Sequence, residues 1–230
     1  MSIPHITILL AVRLGLLLCA GADAPSTPES PSQKIIEDAR RILAEMKESH
    51  YSHETHVDES TGTYDVDCSG LLCYVLRQVA PEHLAVVPSS KRHRRPLALQ
   101  FYETFTAAST ESAGTNGWRQ IVRLADARPG DVFVWRLEHQ EAGRDTGHVM
   151  IVDDGPVEDG ANVFRVRIID SCESPHSHDT RASGTTGIGR GTMWFVVDND
   201  GHPIGYHWKL PNGKVHEMKI AIGRAVQADR

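Results

Sequence analysis

The chain has 230 residues, of which 23% are charged and 40% hydrophobic, and its formal net charge is −6. An acidic balance of this kind argues against non-specific binding to nucleic acid. The length suits one domain with a real core, and beyond the N-terminal residues no stretch is long and apolar enough to span a membrane.

Taken in chain order, the first residues read as a secretory signal peptide over residues 1–22. Arg13 supplies the positive charge, Leu14 to Cys19 the apolar core, and Ala20-Gly21-Ala22 a small-residue cleavage site. The run before Arg13 is itself apolar, so a retained anchor stays open as the alternative. Leu18 rather than a small residue precedes Cys19, which argues against a lipoprotein cleavage site. Removing the leader would leave Cys68, Cys73 and Cys172. An odd count in a secreted protein points to a free reactive thiol. Cys68 and Cys73, five apart on a helix, would face different directions and make a poor bridge. A Cys73–Cys172 bridge that leaves Cys68 free stays open.

Residues 23–33 are rich in Pro, Ser, Thr and Ala and read as a disordered linker, with a single domain over 34–230. Lys34 to His50 carries Ile35, Ile36, Ala39, Ile42, Leu43 and Met46 at the spacing of an amphipathic helix. Tyr51 to Asp58 is polar and crowded with histidine, and Thr61-Gly62 marks a turn. Asp67 is then a good helix N-cap. Leu71, Leu72, Val75 and Leu76 give the following helix one buried face, and Pro81 ends it. Cys68 falls in the first turn, where the positive end of the helix dipole favours thiolate, the nucleophilic form.

Lys91 to Arg95 is a basic cluster in a loop, Pro96 to Phe105 a short helix, and Ala107 to Asn116 a loop. Asp131 to Trp135, His148 to Val152, Val163 to Asp170 and Met193 to Val197 have strand composition, with turn sequences between them. Gly184 to Gly191 lacks the Gly-Lys-Ser/Thr ending of a phosphate loop and reads as a flexible loop near the site. Helices in the first half and an antiparallel sheet in the second make an α+β fold.

A thiolate nucleophile needs a base, and the base needs an orienter. On one predicted strand His148, Met150 and Val152 share a face; on the next, Phe164, Val166, Ile168 and Asp170 do. Antiparallel pairing would set His148 opposite Asp170 or on a diagonal to it, within reach. Ser171, on the other face, and the loop histidines His176 and His178 are the competing orienters. The backbone N–H of Cys68, helped by Ser69, would meet the oxyanion at the helix N-terminus. This chemistry calls for no cofactor.

Three segments in this order resemble the NlpC-type cell-wall cysteine peptidases of the papain-like superfamily. They are Asp67-Cys68-Ser69-Gly70 entering an apolar helix, Arg128-Pro129-Gly130-Asp131-Val132-Phe133, and Gly147-His148-Val149-Met150-Ile151-Val152. The resemblance implies a papain-like fold, with N-terminal helices packed on a mainly antiparallel β-sheet. It implies Cys68 as nucleophile, His148 as base and a polar third residue near Asp170. It places the segment before the nucleophile along the substrate cleft, which makes His53, His56 and Tyr64 candidate substrate contacts. It further implies a secreted or cell-envelope hydrolase that cuts amide or peptide bonds in peptidoglycan stem peptides. The basic stretch, the Ser/Thr/Gly-rich piece between Cys68 and His148, and the long tail after Asp170 depart from the family's pattern.

Two other classes compete with this reading. Cys172, His176 and His178, with His53 and His56, offer metal-ligand chemistry, though their spacing matches no well-known zinc pattern. A non-catalytic wall-binding module on the same fold is the other.

Overall fold

The computed structural model describes residues 29–137, 147–209 and 214–227. Its elements in chain order are α1 (Pro31–Glu45), β1 (Glu48–His50), β2 (His56–Asp58), β3 (Thr63–Asp65), α2 (Cys68–Val79), α3 (Pro81–Ala85) and α4 (Ala98–Ala107), then β4 (Trp118–Gln120) and β5 (Val132–Arg136). They continue with β6 (Gly147–Glu158), β7 (Val163–Cys172), β8 (Gly187–Val197), β9 (Pro203–His207), β10 (His216–Glu217) and β11 (Ile220–Ala225). The expected signal peptide, and the expected linker as far as residue 28, lie outside the described residues.

α1 starts earlier than the composition suggests. Ser30 caps it by accepting the Gln33 N–H, and Pro31 occupies the first helical position, where its fixed φ suits a helix. The expected linker therefore ends before Pro31, because Ser-Pro here is a helix start rather than a flexible spacer. The helix also stops at Glu45, and Glu48–His50 is strand.

Among the described residues, eight strands form one antiparallel sheet in the order β10-β9-β8-β7-β6-β5-β11-β4. A small second sheet, β1-β3-β2, leads the chain into α2. With its helices on one side of the large sheet, the protein is α+β, as the order of helical and strand patterns predicts. On that side α1, α2 and α4 bury Ile35, Ile42, Leu72, Val75, Phe101 and Phe105 against Val132, Val134, Val149, Ile151 and Ile169. The alternate residues Phe133, Met150, Val152, Ile168 and Phe195 point to the other side. There they form a second core, closed in part by Ile121, Leu124 and Ala127. β9 touches β11 although four strands lie between them in the sheet order, so the sheet curls around this second core.

Three parts of the sequence fold differently from their composition. Gly187-Ile188-Gly189-Arg190-Gly191 is the start of β8, not a flexible loop. Glycine spaced by two suits a strand whose one face is covered at close range. Tyr64 is 1% exposed and packs edge-on against Tyr74 inside the helix-side core, so it does not contact substrate. β9, β10 and β11 lie beyond the predicted strands; β11 enters the sheet between β5 and β4.

The Pro129-Gly130-Asp131 turn owes its position to a buried ion pair. Asp131 is fully buried, its Oδ1 accepts from Arg224 Nε at 2.8 Å, and its Oδ2 accepts from Arg224 Nη2 at 2.7 Å. The same Oδ2 accepts the Arg128 N–H at 2.8 Å, closing the turn that feeds β5. Breaking one side of such a pair strands the other charge. Asp131→Asn should therefore cost about 3–5 kcal/mol of stability, read as a lower urea midpoint with an unchanged slope. A loss below about 1 kcal/mol would place the pair among weak surface bridges.

Candidate active site

Cys68 opens α2, and the chain enters that helix under several constraints. Val66 donates its N–H to the His50 carbonyl and accepts from the Ser52 N–H, which ties the entry to the small sheet. Ser171 on β7 donates its hydroxyl to the Val66 carbonyl at 2.6 Å. Asp67 then caps the helix: Oδ1 accepts the Gly70 N–H at 2.6 Å and the Ser69 hydroxyl at 3.0 Å. Its Oδ2 takes Arg95 Nη2 at 2.6 Å and the His53 ring at 3.2 Å. Burial works against the charge of Asp67, but Arg95, the Gly70 N–H and His53 outweigh it and hold the carboxyl below its ordinary range. A helix leaves its first N–H groups without intrahelical acceptors. Those of Cys68 and Ser69 have no acceptor among the described residues, so they are free to serve an incoming oxyanion.

Cys68 lines a cleft of about 820 Å³, together with His53, Glu54, Arg92, His93, Arg95 and Ser69. Cys68 is 7% exposed and stands apart from the other two thiols, all three being free. There is thus no Cys73–Cys172 bridge. Cys73 donates to the Pro96 carbonyl, and burial pushes its thiol up to about 12. Burial likewise pushes the Cys172 thiol up, with Asp170 adding to the effect.

His148 is the second residue of β6, where the strand meets the end of β7. Gly147 before it has φ of +133°, and a side chain there would run into the Trp135 carbonyl, so only glycine lets β6 start this close to β5. The β6–β7 register pairs Ile151 with Ile169 and Val152 with Ile168, which sets His148 diagonal to Asp170 rather than opposite it. The two side chains meet, with His148 Nε2 2.6 Å from Asp170 Oδ2. The Cys68 sulfur lies near enough to the same ring to favour its charged form. Trp135 and Trp208 pack on the same imidazole, with ring centroids at 5.1 and 5.5 Å. Burial opposes the charged ring, but the Cys68 sulfur and the Asp170 carboxylate prevail and raise His148 to about 9.

Asp170 is fully enclosed and carries more than one partner. His176 Nε2 lies 2.8 Å from Oδ2, and Arg181 Nη2 donates to Oδ1 at 3.0 Å. Burial resists the carboxylate's charge, yet His176 and His148 hold it well below the usual range. Arg181, 3% exposed, is itself fixed by Asp179 at 2.7 and 2.9 Å and by the Gly187 carbonyl at 2.7 Å. Gly189 stands directly opposite Asp170 on β8, and a side chain there would collide with Arg181. A side chain at Gly191 would lie 2.7 Å from His176 Cβ. The glycines of β8 make room for the loop that neutralises Asp170.

The structure therefore brings together Cys68, His148 and Asp170, with Ser69 beside them at the helix start. Ser171 is committed to Val66 on the other face, and His178 is exposed, so neither orients His148. Of the expected substrate contacts, His53 lines the cleft; His56 sits exposed on β2 opposite Asp65, outside the cleft lining, and Tyr64 is in the core. Of the suggested metal ligands, Cys172 Sγ and His176 Nε2 lie 3.8 Å apart, while His53 belongs to the α2 cap and His56 and His178 are exposed. Arg95, Asp179 and Arg181 carry much of the site's electrostatics and were not singled out from sequence. The glycine alternation at 187, 189 and 191 was the one local sign that a strand face here is covered closely.

Compared with protein-family models, with curated proteins and with solved structures, the chain matches none of them.

The raised His148 has a consequence for stability. Its charge contributes fully below the unfolded value of about 6.5, and that contribution is lost as pH rises through about 9. In Cys68→Ala the strongest favourable partner is gone, so the His148 midpoint should fall. Proton NMR of the imidazole in both proteins reads this directly; an unmoved midpoint means that the ring and sulfur are not coupled.

Proposed function

We propose that the protein is a cysteine hydrolase of papain-like fold that cuts amide or peptide bonds through a thioester. The observation that carries the reading is one imidazole shared by two groups, with Asp170 on Nε2 and the Cys68 sulfur near enough to favour the charged ring. That is the connectivity a nucleophile, base and orienter require. In this reading His148 holds the proton taken from Cys68. The thiolate attacks the substrate carbonyl, and the developing oxyanion is met by the backbone N–H groups at the start of α2. His148 then protonates the leaving amine, and water activated by the freed imidazole clears the thioester.

The cleft is lined by Arg92, His93, Arg95 and His53 together with Glu54 and Asp67, a polar lining of mixed charge that suits a peptide. Peptidoglycan stem peptides are the substrate class suggested by the sequence resemblance. We place the protein outside the cytoplasm on the strength of its leader-like N-terminus. No helix among the described residues is long and apolar enough to cross a membrane.

Digestion of purified cell walls and of acidic stem peptides tests the proposal. Cys68→Ala should abolish release of new amine termini while keeping the parent's fold, read as an unchanged far-UV circular dichroism spectrum. His148→Ala should lower kcat by about 10²–10⁴-fold, the usual worth of a general base. Wall binding without any turnover by the unmutated protein would instead support the non-catalytic module. Asp170→Asn should lower kcat more than it raises KM, because the residue touches the imidazole and not the substrate. A change confined to KM would remove Asp170 from the orienting role.

A further inference from the structure

His176 is the buried titratable group at the site that the proposed reaction leaves unused. We propose that His176 is a positioning residue, whose N–H donation to the Asp170 oxygen shared with His148 fixes the carboxylate plane and limits its pull on the catalytic imidazole. The effect on turnover rests on the hydrolase reading; the geometry stands by itself.

An ionised carboxylate oxygen has two lone-pair sites. On Asp170 Oδ2 both are taken, by His148 at 2.6 Å and His176 at 2.8 Å, while Oδ1 is held by Arg181 at 3.0 Å. With the side chain fully buried, no solvent competes for these sites. His176 is placed as deliberately as His148. Its ring lies 4.1 Å from Trp208, its backbone N–H donates to Asp179 Oδ2 at 2.8 Å, and Gly191 leaves space for its Cβ. Its Nδ1 is buried and has no hydrogen-bond partner among the described residues. The ring therefore serves as a donor through Nε2 alone. Each donor on a carboxylate draws charge from it, so His148 meets a weaker acceptor than an undivided Asp170 would offer.

Among the described residues, the groups facing the His148–Asp170 pair are few. α2 contributes Cys68, β7 contributes Cys172, and the loop after β7 contributes His176, Asp179 and Arg181. Trp135 on β5 and Trp208 after β9 add uncharged rings. Arg181 and Asp179 compensate one another, which leaves His176 as the donor whose loss changes what His148 receives.

The experiment compares His148 titration by NMR in the parent, His176→Phe and His176→Gln. Phenylalanine keeps a ring against Trp208 but offers no N–H; glutamine restores one. The His148 midpoint should rise by about half a unit or more in His176→Phe and return toward the parent in His176→Gln. Equal midpoints in the parent and His176→Phe, or equal shifts in both variants, overturn the proposal. Nitrogen-15 shifts of His176 in the unmutated protein give a second reading that needs no variant to fold. Protonation at Nε2 with a bare Nδ1 supports the assignment, and the opposite tautomer overturns it. Neither measurement uses a substrate, so wall digestion bears on the hydrolase reading alone and these spectra on His176 alone.

Discussion

The site depends on keeping one carboxylate ionised where water cannot reach it. An unpaired charge at Asp170 would be prohibitively costly, so the fold surrounds it with donors: two imidazoles on one oxygen and a guanidinium on the other. Much of the architecture around the cleft follows from that requirement. Arg181 can approach only because Gly189 lies opposite Asp170, and Arg181 stays put because Asp179 and the Gly187 carbonyl hold it. The orientation of His148 is then set by the strand that carries it and by the oxygen it meets.

A second anchor ties the helix to the sheet. Cys68 is delivered to His148 by the start of α2, and that start is fastened to β7 through Ser171 and the Val66 carbonyl. Asp170 and Ser171 are adjacent and point to opposite faces. One residue pair thus fixes the His148 ring from one side of the strand and the Cys68 helix from the other.

The charge around Cys68 is organised by Arg95. Its guanidinium holds both the Asp67 cap and the Ser69 hydroxyl. Arg95 thereby serves the helix cap while lining the cleft beside Arg92 and His93.

What the sequence determined by itself was local. The Asp67 cap and the apolar spacing after Gly70 place Cys68 in the first turn of a buried helix, because capping and helical periodicity depend on neighbours within four residues. Strand parity put His148 and Asp170 on faces that can meet, because the alternation of side chains survives any twist of the sheet. The helices-then-sheet order was equally legible. Tertiary structure decided the rest. The register made the His148–Asp170 contact diagonal, and the polar-looking Tyr64 segment became core. The glycine-rich run became a strand, since glycine signals flexibility only until something packs on it. His176, Asp179 and Arg181 converge on Asp170 through a loop whose course no short-range pattern encodes. Their alignment depends on contacts between segments that only the folded chain brings side by side.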